Sequence, residues 1–425
     1  MRVAVIGGGL AGLAAALDCL DAGADVTLLE ARPTLGGAVQ TLPERGGDPP
    51  PPPDNGQHVA LGCFTEYLRF LERIGQTGSI RRLRLELPVI DENGRVGALG
   101  PGALTLLRYR HLRLDERLRL AVIATRLGRL APASHDGETF GRLLRRLGSS
   151  ERAIDRFWDV FIRPALNLPA DEASASLGLF TVQTALLADR AASDLVLPVA
   201  PLGEMHGDAA GRALEKAGAT VMARTRVAVL EPDAAVTAAG ERVAADAFVV
   251  AVPPAEAASL LGEPAPPLEH SPIVSVHLLF DRSLLEPPLA ALLGSPAHWI
   301  FDRGRLTGHP PDRGQYLTVV SSGVPDLVAT RGRELVELMR AAIVERLGPA
   351  ELLWSRVSRE PQATFAGRPG TAAHRPGPET GRPGVVRAGA WTHTGWPATM
   401  EGAVRSGRTA ARTLLGSAIL EPVTP

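Results

Sequence analysis

At 425 residues the chain is long enough for two or three domains with ample core, and its net charge of -1 gives no overall electrostatic case for a nucleic-acid partner. Every basic residue except Lys216 is an arginine, which excludes a P-loop and a pyridoxal-phosphate enzyme, since both need a lysine in the site. Cys19 and Cys63 are too few and too far apart for a disulfide framework or a zinc site, and no apolar run or leader pattern signals export or membrane insertion, so a cytoplasmic location and no metal are expected.

The chain opens on an apolar strand, Arg2 to Ile6, followed by Gly7-Gly8-Gly9-Leu10-Ala11-Gly12 and an alanine- and leucine-rich helix to Ala22. Gly7, Gly9 and Gly12 have G-x-G-x-x-G spacing: a tight turn, a backbone that a pyrophosphate can approach, and close packing of helix on strand. A second strand, Asp25 to Leu29, ends in Glu30, where an acid belongs if it is to bond a ribose hydroxyl. A plain glycine turn between core elements would leave Glu30 without a purpose.

Ala31-Arg32-Pro33-Thr34-Leu35-Gly36-Gly37 follows, and its glycine pair lets backbone pass close to a planar or phosphorylated ligand. This segment resembles the two-dinucleotide-binding segment of the FAD-dependent amine oxidase and isoprenoid desaturase superfamily. The resemblance implies that Glu30 binds the adenosine ribose, with Ala31 beside it, while Arg32, Gly36 and Gly37 lie along the diphosphate.

Pro49 to Pro53 is an unbroken proline run, expected to form an extended surface excursion. It leads to Asp54-Asn55-Gly56-Gln57-His58 and an apolar helix from Thr65 to Ile74. Residue types alone fit either a pocket wall or a helix-entry turn. The stretch closely resembles that of the squalene-associated FAD-dependent desaturases, which act as hydroxysqualene dehydroxylases. That resemblance puts Gly56, Gln57 and His58 at the flavin and makes Asp54 and His58 the candidate acids.

From Arg81 to about Ala200 arginine and leucine dominate, and helices are expected at 104–130, 139–147, 150–161 and 175–187. The arginines of 104–130 can be read as an amphipathic pair resting on an anionic membrane surface, or as a helical cap with solvated charges. Gly207 to Ala217, Thr220 to Ala223, Val227 to Glu231 and Ala247 to Val252 form an α/β return, in which the resemblance places Val227 by the adenine. Strands at 273–280, 298–301, 315–321 and 352–357 and a helix at 331–347 follow, as a sheet flooring a substrate cavity would require.

Val385 to Trp391 reads as a strand, with a helix beginning near Pro397, where proline is favoured in the first turn. It resembles the superfamily's closing flavin motif, which implicates Gly389, Ala390, Pro397, Ala398, Thr399 and Met400. The family usually has an acid where Ala390 stands, and His393 also replaces an acid found in many relatives. Glu401 fits a capping role better than an acid's.

The expected fold is α/β: a Rossmann-type FAD-binding domain (residues 1–80, 196–269 and 377–425) carrying an inserted α+β substrate domain (81–195 and 270–376). One dinucleotide fingerprint implies FAD as the held cofactor and leaves the electron donor unassigned. The resemblance implies an isoprenoid lipid substrate, most specifically hydroxysqualene, whose hydroxyl is replaced by hydrogen to give squalene and water. Three alternatives are a carotenoid-type desaturase, an amine oxidase, which the scarcity of tyrosine disfavours, and a flavin-binding scaffold that has lost catalysis, prompted by Ala390.

Overall fold

A computed structural model describes residues 1–100 and 102–416. Residues 417–425, assigned by sequence to the cofactor domain, lie outside the described residues.

Five short parallel strands gathered from distant parts of the chain make one sheet, in the order Val385–Arg387, Ala247–Val250, Arg2–Ile6, Asp25–Leu29, Thr220–Met222. They are continuous apolar runs because both faces of a parallel sheet are covered: Val3, Ala4 and Val5 are all buried. Helix Leu10–Asp21 packs against the closing helix Met400–Leu415 so tightly that a Cβ on Gly407 would lie 2.0 Å from the Ala11 carbonyl oxygen. The two ends of the described chain are thereby held side by side over one core.

The second sheet has seven strands, in the order Leu352–Phe365, His270–Phe280, Gln315–Ser322, Trp299–Asp302, Leu289–Leu292, Leu87–Ile90, Val96–Leu99. All neighbours are antiparallel except Leu289–Leu292 with Leu87–Ile90. Helix Gly332–Leu347 covers part of it through Leu335, Met339 and Ile343, which pack with Val274, Val276 and Leu278. The helices between Leu114 and Leu187 share a separate core with Leu87, Val89, Leu289 and Phe301.

Several sequence expectations need correction. The arginine- and leucine-rich block contains strands Ile80–Leu83, Leu87–Ile90 and Val96–Leu99, too short for alternation to reveal; the first two pair with segments far away in the chain and the third with Leu87–Ile90. The C-terminal strand ends at Arg387, and the closing helix starts at Met400 rather than near Pro397, because the Thr399 hydroxyl caps it by accepting from the Gly402 N–H at 3.1 Å. The proline run is no free surface excursion: Pro49, Pro51 and Pro53 are buried, and within the run only Pro50 is exposed.

Candidate cofactor and active site

The first strand delivers Gly7, whose N–H donates to the Leu29 carbonyl at 2.8 Å, and the Gly8 carbonyl then accepts from Gly36 N–H at 2.7 Å. A Cβ on Gly12 would lie 1.9 Å from the Gly7 oxygen, and one on Gly37 (φ +62°) would lie 2.7 Å from the Gly9 Cα. Only glycine permits this stacking of the Gly36-Gly37 segment upon the turn. Gly9 is the N-cap of helix Leu10–Asp21; no side chain caps that end and its first turn, with Leu10, Ala11 and Gly12, holds no acid. Its N–H groups are therefore free to receive an anion.

Glu30 is mostly buried and bound at both oxygens, Oε2 accepting from Gly8 N–H at 2.6 Å and Oε1 from Arg32 N–H at 2.7 Å. A carboxylate has about four acceptor sites, so it keeps capacity for ligand hydroxyls. Ala31 and Arg32 are exposed, and the Arg32 guanidinium reaches back to the Gly37 carbonyl at 3.3 Å. Backbone bonds from Thr225 to Glu30 (2.8 Å) and from Arg224 to Arg32 (3.0 Å) bring the segment ending at Val227 to the same place. Donors, acid and glycine surfaces thus fit the diphosphate and ribose of a dinucleotide.

The loop carrying the candidate acids is pinned to the seven-stranded sheet. Asp54 and Arg303 are each 1% exposed in their side chains, with Nη1 and Oδ2 2.9 Å apart. The approach lacks hydrogen-bond alignment, so the attraction is electrostatic; Oδ1 instead accepts from Thr41 Oγ1 (2.7 Å) and Leu202 N–H (3.0 Å). Arg303 also donates to the Pro52 carbonyl at 3.1 Å and to Gln57 Oε1 at 3.4 Å. A second buried pair, Asp48 with Arg356, holds the start of the same loop.

Beside this pair two histidines are matched on both ring nitrogens, whereas the buried Ser275 Oγ and Arg303 Nε have no hydrogen-bond partner. His277 Nε2 lies 2.8 Å from the Asp54 carbonyl and must carry the proton there, leaving Nδ1 to accept from Thr318 Oγ1 at 3.0 Å. Burial first, then the Arg303 charge, pushes His277 down to about 3. His206 is held between the Leu202 carbonyl (2.9 Å) and Tyr67 OH (2.8 Å), and burial lowers it to about 4. Gly56 lies against Ser275, where a Cβ would come within 2.8 Å of the hydroxyl. His58 is half-buried, with Nδ1 3.3 Å from the Gly56 carbonyl, and desolvation holds it below the usual histidine range. The two candidate acids therefore stand differently: Asp54 is sealed in an ion pair, and His58 alone is partly accessible.

At the other chain end, Gly389 donates to Ser406 Oγ at 2.8 Å, and Trp391 Nε1 to the Val252 carbonyl at 3.1 Å. Ala390 is half-buried, so its methyl group stands where the family's acid was expected. The sequence reading missed Arg375, whose buried guanidinium donates to the carbonyls of Ala390 (3.1 Å), Trp391 (3.4 Å) and Trp396 (2.8 Å) and lies over the Phe365 ring. Burial brings it down to about 10. Pro397 is buried, while Ala398, Thr399 and Met400 are half-buried at the helix entry. Glu401 is fully buried and caps another helix, Thr65–Arg73, by accepting from Glu66 N–H (3.1 Å) and Tyr67 N–H (2.7 Å), with Arg405 at 2.8 Å.

Tyr67, Tyr109 and Tyr316 are all buried, with hydroxyls turned to His206, the Arg156 carbonyl and His277, so none lines an open aromatic cage. Among the described residues no His, Cys, Asp and Glu cluster could hold a metal ion, and no helix is long and apolar enough to cross a membrane.

The profile of the flavin containing amine oxidoreductase family matches residues 10–415. Proteins named hydroxysqualene dehydroxylase from Sinorhizobium fredii and Rhodopseudomonas palustris are 30% and 31% identical, covering 96% and 98% of this chain and 97% and 98% of their own. A zeta-carotene desaturase from Synechocystis is 25% identical, with 98% of both chains covered. Among solved structures, cyclohexylamine oxidase from Brevibacterium oxydans superimposes with a TM-score of 0.74 at 18% identity, covering 98% of this chain and 99% of that one. The cofactor is FAD, and the chain belongs to the flavin containing amine oxidoreductase family.

Proposed function

We propose that this protein is an FAD-dependent dehydroxylase that converts hydroxysqualene to squalene. What supports the reading most is that similarity to two hydroxysqualene dehydroxylases spans 96% and 98% of the chain. Residues Gly7 to Gly12, Glu30, Arg32, Gly36 and Gly37 would hold the adenosine diphosphate half, with Val227 by the adenine. Gly56 to His58, Gly389, Ala390 and Pro397 to Met400 would face the flavin half. Bound in its reduced form, FAD supplies a hydride.

The chain's own part is to bind, orient and move one proton. Asp54 and Arg303 fix the loop, leaving His58 to meet the substrate. With Nδ1–H turned to the Gly56 carbonyl, Nε2 is the atom left for the substrate hydroxyl. As imidazolium it gives that proton to the departing oxygen; the C–O bond breaks, water leaves, and the carbon takes up the hydride. A positioned acid of this kind contributes about 10²–10⁴-fold.

The test is anaerobic incubation of photoreduced protein with hydroxysqualene, following flavin reoxidation and squalene together. Stoichiometric squalene is expected, and reoxidation without squalene would overturn the reading. His58→Ala should lose most of the rate; parent activity in that variant would remove His58 from the mechanism. The similarity to a zeta-carotene desaturase favours one second reading, polyene desaturation, which the oxidised protein would reveal by converting zeta-carotene and not hydroxysqualene.

A further inference from the structure

Helix Leu114–Leu127 has two apolar faces. One is spent on the core: Leu120, Ile123 and Leu127 are buried with Leu87, Val89 and Trp158. The other is turned to solvent. Leu114, Leu118 and Val122 are 62%, 56% and 52% exposed at a spacing of four residues. At about 100° per residue that outer stripe lies roughly opposite the inner one. Leu107 and Leu187, exposed as well, belong to the same block, and Leu187 stands beside Gly128 just past the helix end. Half of the large apolar side chains exposed among the described residues are thus concentrated in this one region, which scattered surface residues would not do.

The charges frame the stripe. By the same helical arithmetic Arg119 and Arg126 border it on one side and Arg117 on the other, where the Arg117 guanidinium is held by the carbonyls of Leu107 and Leu112. Between Gly102 and Leu130 the sequence has seven arginines and two acids. Arg108, Arg110, Arg119, Arg126 and Arg129 have no carboxylate partner among the described residues, whereas Asp115 and Glu116 are paired with Arg113. A central apolar band flanked by basic residues is the pattern of a helix lying in a membrane interface, where the apolar face enters the acyl boundary and guanidinium groups such as those of Arg119 and Arg126 reach anionic headgroups.

We infer that the face formed by Leu114, Leu118 and Val122 docks this protein on the surface of a bilayer containing anionic lipids. A second copy of the chain fits worse, because pairing the same face would set arginine flanks against arginine flanks. The inference stands on the surface alone and does not depend on which lipid, if any, is the substrate.

Flotation of the flavin-loaded protein tests it, with vesicles of phosphatidylcholine alone and of equal parts phosphatidylcholine and phosphatidylglycerol. Binding is expected to the mixed vesicles, to weaken with salt, and to be poor on phosphatidylcholine alone, since each arginine near an anionic surface contributes roughly fivefold in partitioning. Leu118→Glu with Val122→Glu should reduce binding about tenfold or more, with flavin absorbance and melting temperature kept as the parent's. Failure to float with mixed vesicles, or equal binding by the double variant, would overturn the inference. So would a dimer in sedimentation velocity that the double variant abolishes, since the face would then belong to a second copy.

Discussion

Asp54 and Arg303 face each other at 2.9 Å, both side chains sealed from solvent. The pair ties the loop after the glycine cradle to the helical turn Arg303–Thr307, which follows strand Trp299–Asp302 of the seven-stranded sheet. A buried ion pair is costly to make and costlier to halve, because the remaining charge has neither water nor partner. Arg303→Met is expected to destabilise the protein by about 3–5 kcal/mol, and Asp54→Asn combined with it should recover part of the loss. Urea unfolding of the flavin-loaded variants measures this; strictly additive losses would show that the two charges are not coupled.

Glu30 holds the end of the second strand against the glycine turn and retains acceptor sites. Hydrogen bonds to a charged group contribute about 1.5–3 kcal/mol. Glu30→Ala should therefore raise the Kd for FAD by about 10–100-fold, read from flavin fluorescence on titration of apoprotein. Unchanged affinity would place the ribose elsewhere.

Acid should destabilise the fold through its buried histidines. His206 and His298 are lowered to about 4 and His277 to about 3, burial being the first cause in each. The unfolded chain, with histidines near 6.5, binds these protons first, so the stabilisation is complete above that pH and is lost as pH falls towards the folded values. Each histidine adds a slope of about 1.4 kcal/mol per pH unit in that window. Unfolding midpoints should fall steeply from about pH 6.5 downwards, and less steeply in His206→Gln; a flat profile would contradict the neutral, buried assignment.

His58 predicts a pH dependence of turnover with its own sign. Desolvation favours its neutral form, so the imidazolium that protonates a leaving hydroxyl becomes populated only as pH drops below the ordinary histidine range. The limiting kcat/KM should rise with falling pH, and His58→Gln should flatten the profile. A rate that increases with pH would indicate that His58 acts as a base.

Gly407 tests the joining of the chain ends. With a Cβ there only 2.0 Å from backbone of the first helix, Gly407→Ala must push the two helices apart. A loss of about 1–3 kcal/mol is expected, with weaker flavin retention, measured by melting temperature and bound flavin absorbance.

The cofactor end was legible because its signals are local. Glycine spacing, a strand ending in an acid and continuous apolar runs each report on a few neighbouring residues, and all four sheet partners of Arg2–Ile6 and its flanks were read as strands. Arg303, Arg356 and Arg375 were not legible, since in a chain whose basic residues are nearly all arginine nothing local marks the few that are buried. Leu87–Ile90 was missed for a related reason: a four-residue strand is stabilised by its partner, and Leu289–Leu292 lies far along the chain, with Val96–Leu99 in turn added to Leu87–Ile90. Glu401 was expected to serve its own helix, and it serves Thr65–Arg73 instead.

The sequence by itself determined the dinucleotide turn, because glycine conformations and apolar strands are properties of short stretches. Which charges are buried, which partner each one takes, and which face of Leu114–Leu127 is left to solvent were decided only by the tertiary structure. Desolvation makes a buried charge demand a partner, and the fold supplies that partner from wherever in the chain it comes close, as Arg303 comes to Asp54.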